Sequence, residues 1–273
     1  MPDSPLFSAH SIFGGIGDAI LCIDAALEAK IVNLYTHQMT TAKLLQDFGI
    51  EIAEIKHYTG LAEMNRLSHV GKPVRQSKYL AAPIPTGKSF HPSNTLQGSM
   101  CFSGSQGISE DLKATIYRRP LIGIHPFGSH FSNEFWASRN EPIKSIEPKY
   151  VKHLIDELSL RYNVVIFGHQ HELDFLNKQI SDVHAPWYAY TDIIDTFQVV
   201  SQCEAIIGTD SCIKTMASVL KIPSYVFCGD YYDHYREVGP FLQPYVDDGI
   251  MKVTKFKKQT KDMFEEALND LYV

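Results

Sequence analysis

IFGGIGDAIL (12–21) and GTDSCIKT (208–215) are the stretches on which the reading of this chain turns. Each follows an apolar run and opens a stretch with helical periodicity. At such a strand-to-helix junction a parallel α/β fold gathers backbone N–H groups to hold an anion or to place a reactive carboxylate. Two junctions of this kind in one chain predict two Rossmann-like α/β units facing each other, with a ligand between them.

Working outward from the first stretch, Ser8–Phe13 reads as a strand and Asp18–Lys30 as a helix, with Ala19, Ile20, Ile23, Ala26 and Leu27 at helical spacing. Ile31–Tyr35 reads as a strand, Thr40–Phe48 as a helix and Glu51–Ile55 as a short strand, a βαβαβ run suited to a parallel sheet. From Gly60 to Gly107 the periodicity weakens under Pro73, Pro83, Pro85 and Pro92, with one short helix expected near Leu61–Leu67. A second βα series begins at Leu121–His125. It continues through helix Pro148–Arg161, strand Asn163–Phe167, helix Glu172–Gln179 and helix Asp192–Ser201. Strand Ala205–Ile207, helix Ser211–Leu220 and strand Ser224–Phe227 complete it. Lys257–Leu271 is amphipathic, and Phe264, Leu268 and Leu271 are expected to dock. The implied organisation is an N-terminal unit over 1–115, a second over 116–255, and a docking helix over 256–273.

A chain of 273 residues with 44% hydrophobic and 21% charged residues has the composition of a globular protein with a real core. The formal net charge of −6 provides no general pull toward nucleic acid or anionic lipid, although a local basic cleft stays compatible with it. Five scattered cysteines without a CxxC pair do not form a disulfide framework or a zinc site. Cys22, Cys203 and Cys228 sit in apolar contexts and are expected in the core. No run approaches the length of a membrane span, and Met1-Pro2-Asp3-Ser4-Pro5 lacks the features of a secretory signal, so the cytoplasm is the expected location.

Three segments together resemble the ADP-heptose:lipopolysaccharide heptosyltransferases, glycosyltransferase family nine. They are IFGGIGDAIL (12–21), then IGIHPFGSHFSNEFW (122–136) with VVIFG (164–168) and Glu172, then CEAIIGTDSCIKTMASVLKIPSYVFCG (203–229). The resemblance covers the first 50 residues and the C-terminal half, and not roughly 60–115. It implies the two-domain GT-B fold and transfer of a sugar from a nucleotide-diphosphate donor to a hydroxyl. The acceptor would be a glycan, a lipid-linked glycan or another hydroxyl compound, and no cofactor is implied.

Asp18, at a glycine turn that opens a helix, is suited to orienting or deprotonating an acceptor hydroxyl. The resemblance implies that role, with Gly15 and Gly17 allowing close approach to the donor; an acid that only caps its helix is the alternative. Asp210 and Ser211 open a helix whose exposed N–H groups suit a diphosphate. Here the chain departs from the family: Cys212 stands where a glycine is usual and Thr215 where a histidine is usual. Lys214 could supply the missing cation; a helix cap with an exposed lysine is the alternative. Ser129, with the polar loop 130–133, matches a further phosphate-contacting turn, and Arg139 is the nearest substitute for the family's lysine there. Glu172 is a candidate for a ribose hydroxyl or a surface residue at a helix start.

No Asp-x-Asp occurs, which suits a metal-independent, inverting displacement in which helix dipoles and cations stabilise the leaving diphosphate. Gly168-His169-Gln170-His171 and Gly229-Asp230-Tyr231-Tyr232-Asp233 are similar to metallophosphoesterase motifs, but they occur in the wrong order. A sugar-nucleotide binder without turnover is the stronger rival, motivated by the missing lysine, glycine and histidine. Arg66, Lys72, Arg75, Lys78 and Lys88, with Tyr79 and Phe90, could meet a polyanionic acceptor such as lipopolysaccharide or modified DNA, or form a solvated face. Asp230–Arg236 could stack on a base or sugar, or pack internally.

Overall fold

Two parallel sheets account for all ten strands of the computed structural model, which describes residues 10–36, 38–58, 72–85, 119–128, 145–180, 187–189, 192–229 and 242–272. The first is built from β1 (His10–Phe13), β2 (Ile31–Thr36), β3 (Glu51–His57) and β4 (Lys72–Pro73) in the order β3-β2-β1-β4. Helices α1 (Ile16–Ala29) and α2 (Thr40–Asp47) make the crossovers. Alternation in β1 and β2 puts Ile12, Val32 and Leu34 against these helices. The turn after α2 is closed by Gly49 at φ +80, where Ile50 N bonds back to Leu45 O and Gly49 N to Gln46 O.

The second sheet contains β5 (Leu121–His125), β6 (Asn163–Gly168), β7 (Trp187–Ala189), β8 (Cys203–Thr209), β9 (Ser224–Gly229) and β10 (Met251–Phe256). Their order is β10-β9-β8-β5-β6-β7. Its helices are α3 (Pro148–Leu158), α4 (Gln170–Gln179), α5 (Ile193–Val200), α6 (Cys212–Val219), α7 (Gln243–Asp247) and α8 (Lys261–Leu271). Counted from β5, this is the doubly wound order: the chain runs outward to one edge, returns, and runs outward to the other. Both faces are covered, which explains the nearly unbroken apolar strands Val164–Phe167 and Ala205–Ile207. Val165, Phe167 and Ile206 face one core; Val164, Ile166, Ala205 and Ile207 face the other, where Phe264 and Leu268 of α8 dock.

The sequence reading places most of these elements. It starts α1 at Asp18, whereas the helix begins two residues earlier with Asp18 in its first turn. It starts α4 at Glu172, which also lies in the first turn of a longer helix. It starts α6 at Ser211, which is the N-cap. It omits β4, β7, α7 and β10. The helix expected near 61–67 lies outside the described residues. Cys22, Cys203 and Cys228 are buried as expected.

Candidate active site

A doubly wound sheet leaves a crevice where two adjacent strands send their crossovers to opposite faces, beyond their carboxyl ends. In the second sheet that point lies between β5 and β8, so it is bordered by His125 and by Thr209, Asp210 and Ser211. In the first sheet it lies between β1 and β4, beside the glycine turn after Phe13.

The first turn is shaped around Asp18. Gly14 has φ +119, a conformation L side chains rarely adopt, and its N–H reaches Tyr35 O at 3.1 Å. A Cβ on Gly14 would lie 2.1 Å from Asp18 Oδ2, so the carboxylate occupies the space the glycine leaves. Asp18 Oδ2 accepts a hydrogen bond from Gly15 N at 2.9 Å, which stabilises the helix start and fixes the side chain. Gln38 Oε1 accepts from Ile16 N at 3.4 Å, and the Gln38 N–H is itself held by Thr36 Oγ1 at 3.0 Å. Buried Tyr58 follows β3; burial raises its phenol pKa, and the charge of Asp18 raises it further. Burial pushes the Cys22 thiol up to about 12, with Asp18 again the lesser cause.

The second turn is shaped by Gly208. A Cβ there would lie 2.4 Å from the carbonyl oxygen of His125, so only glycine lets β8 and β5 approach this closely at the crevice. Ser211 caps α6 without a side-chain cap bond. The Oγ atoms of Ser211 and Thr209 are shielded from solvent and have no hydrogen-bond partner among the described residues. A buried hydroxyl in that condition costs about 1–3 kcal/mol, which an incoming acceptor would relieve. Lys214, 6% exposed at its side chain, reaches back one turn to Asp210 Oδ1 at 2.8 Å.

These turns meet. A Cβ on Gly17 would lie 3.3 Å from Thr215 Oγ1 and 3.9 Å from Cys212 Cα, so α1 and α6 touch through the glycine's bare face. Thr215 is buried in this contact, with its hydroxyl 3.4 Å from Ser211 O. Cys212 is half-buried at the first position of α6. Asp18 is thereby carried on one helix start and the Ser211 turn on the other, in neighbouring first turns.

A third group lies at the end of β6. Glu172 is 4% exposed and accepts from His169 N at 2.7 Å. Burial raises its pKa to about 7, and the His169 N–H bond opposes part of that rise. Burial lowers the pKa of His125 to about 3, with a smaller contribution from His169. His169 is lowered in turn by burial and by His171, whose ring stacks on it at 5.7 Å. Glu172 does cap the start of its helix, as one of its two sequence readings has it, but it does so buried and not at the surface.

Ser129, the loop 130–133, Arg139 and the segment 230–236 lie outside the described residues. Among the described residues no group of three His, Cys, Asp or Glu side chains could hold a metal ion, and no helix is long and apolar enough to cross a membrane. Sequence reasoning missed Gln38, Tyr58 and Thr209. Thr209 lies inside the quoted GTDS and was legible as a hydroxyl at a strand end, whereas Gln38 and Tyr58 carry no local signal.

No protein-family model matches the sequence, and no curated protein sequence matches it. Solved structures share its fold. The ADP-heptose LPS heptosyltransferase II of E. coli is similar at a TM-score of 0.53 and 14% identity, over 96% of this chain and 98% of that one. The E. coli heptosyltransferase WaaC with ADP is similar at a TM-score of 0.55 and 8% identity, over 97% of each chain. The same enzyme with ADP-2-deoxy-2-fluoro heptose gives 0.52 and 9%, over 97% of this chain and 99% of that one. At these identities the likeness is one of fold: the chain has the two-sheet GT-B architecture.

Proposed function

We propose that this chain is a glycosyltransferase that moves a sugar from a nucleotide-diphosphate donor to a hydroxyl of a glycan or lipid-linked glycan acceptor. The observation that carries the reading is the meeting of the two helix starts, with Asp18 on one side and the unpartnered Ser211 and Thr209 hydroxyls on the other. The fold shared with proteins described as binding ADP or an ADP-heptose analogue supports it.

In this reading the donor diphosphate lies over the N-terminus of α6, where N–H groups, Ser211 and the Lys214 ammonium favour an anion. Lys214 turns toward it from Asp210. The ribose hydroxyls bond to Glu172, which accepts best once ionised. Asp18 takes the proton of the acceptor hydroxyl while the oxygen attacks the anomeric carbon. The bond to the diphosphate breaks, its electron pair leaves with the phosphate oxygen, and configuration inverts. Helix N–H groups and Lys214 stabilise the departing charge, so no metal is required. Residues 1–115 bind the acceptor, 116–255 the donor, and the reaction is cytoplasmic.

A second reading, a sugar-nucleotide binder without turnover, is favoured by one observation. Thr215 stands where the family has histidine and is taken up by the α1–α6 contact. A thermal-shift screen against ADP, UDP, GDP and CMP and their sugar conjugates, with and without EDTA, tests both. Stabilisation by one nucleoside diphosphate that EDTA leaves unchanged supports donor binding without a metal. Sugar transfer from that nucleotide then separates the enzyme from the binder. No response to any nucleotide refutes both readings.

A further inference from the structure

The segment that follows β4 leaves the first sheet and is bonded alternately to elements of both halves. Val74 N still continues β4, bonding to Ser11 O, and Ser77 N bonds to Leu21 O of α1 at 2.6 Å. Lys78 O then accepts from the hydroxyl of Tyr245 in α7, and Leu80 N reaches Val219 O of α6 at 3.1 Å. Ala81 N and Ala82 N return to α1, both bonded to the Asp24 carboxylate at 3.1 Å. Pro85 O accepts from Gln198 Nε2 of α5.

Side chains reinforce the stitching. The Tyr79 hydroxyl bonds to Asp248, and Lys78 pairs with the same carboxylate. The Tyr79 ring packs edge-on against Tyr245 at 5.9 Å and lies under the Lys221 ammonium at 4.7 Å. Beneath the segment the apolar core is continuous from α1 and α2 to α5 and α6, with Phe48 against Phe197 and a Lys43–Asp192 ion pair at its margin.

Two α/β units joined by a modest polar contact are expected to move against each other, whereas a large apolar interface suppresses that motion. We propose that residues 74–85 act as a clasp that holds the two halves as one rigid, cooperatively unfolding body, so that the α1 and α6 helix starts keep a fixed separation without domain closure. The observations behind this are structural and independent of the transferase reading.

Hydrogen exchange followed by mass spectrometry in rising urea tests it, on peptides covering 10–29 and 203–219. In the wild-type chain both peptides should lose protection in one shared transition. In the double variant Asp24→Ala/Tyr79→Phe the transitions should separate, and exchange in α1 and α6 should rise by roughly tenfold or more in native buffer. Separate wild-type transitions overturn the proposal, as does a folded double variant whose transitions still coincide. If the double variant does not fold, the wild-type result and Tyr79→Phe alone decide. The phenylalanine keeps the ring contacts and removes only the bond to Asp248.

Discussion

Replacing Glu172 by glutamine isolates the most strongly perturbed carboxyl of the site. Its pKa rises from 4.5 to about 7 because burial penalises the carboxylate, so the folded chain binds a proton there more tightly than the unfolded chain does. Between these values the stability this group contributes falls as pH rises, by about 3 kcal/mol in all at 1.36 kcal/mol per unit. His125 acts in the opposite direction. Lowered from 6.5 to about 3, it stays neutral in the fold, so its contribution is lost as pH falls through that range. From pH 6.5 to 4.5 the two slopes oppose each other, and the wild-type chain shows little net dependence on their account. Glutamine still accepts the His169 N–H but does not titrate, leaving the His125 slope uncompensated. Urea unfolding of both proteins at pH 4.5, 5.5, 6.5 and 7.5 measures the effect. The stability difference should shift by about 3 kcal/mol in favour of the variant as pH rises over that series. A difference that does not change with pH refutes the assignment of a raised, burial-driven pKa to Glu172.

Other substitutions examine the two turns. Asp18→Asn should abolish sugar transfer while nucleotide affinity stays within about twofold, read by single-turnover kinetics and calorimetry; unchanged turnover removes Asp18 as the base. Ser211→Ala should leave the unliganded chain as stable as wild type or up to about 1 kcal/mol more stable, because an unpartnered buried hydroxyl is lost. A clear drop in the urea midpoint would show that the hydroxyl is already satisfied. Gly208→Ala places a Cβ 2.4 Å from the His125 carbonyl oxygen and should cost about 3 kcal/mol or more in urea unfolding. Near-wild-type stability would mean that β5 and β8 separate easily there.

The sequence is most legible where local pattern and tertiary role agree. Apolar strands buried on both faces, such as Val164–Phe167, stand out without any knowledge of their neighbours. The glycine turns are legible because backbone freedom is written in residue type. β10 is not: MKVTKF is an edge strand with exposed Lys252 and Lys255, and it reads as solvated chain. β4 is two residues long and α7 five, too short for any periodicity. The site is half legible for a different reason. Asp18, Asp210, Ser211 and Lys214 announce themselves by motif. The contact of Gly17 with Thr215, the bond from Ile16 to Gln38 and the approach of Tyr58 to Asp18 join segments distant in the chain, which no local window contains. Thr215 marks the limit clearly: its place in a motif suggests the donor, and its packing places it between two helices.

The account stands on the donor diphosphate binding at the Ser211 turn, opposite Asp18. The direct measurement is calorimetric titration of the stabilising nucleoside diphosphate into wild type, Ser211→Ala, Lys214→Ala and Asp18→Asn. Affinity should fall roughly tenfold or more in the Ser211 and Lys214 variants, the scale of one charge-assisted hydrogen bond, and stay near wild type in Asp18→Asn. Equal affinity in all four proteins would place the nucleotide elsewhere and contradict the account.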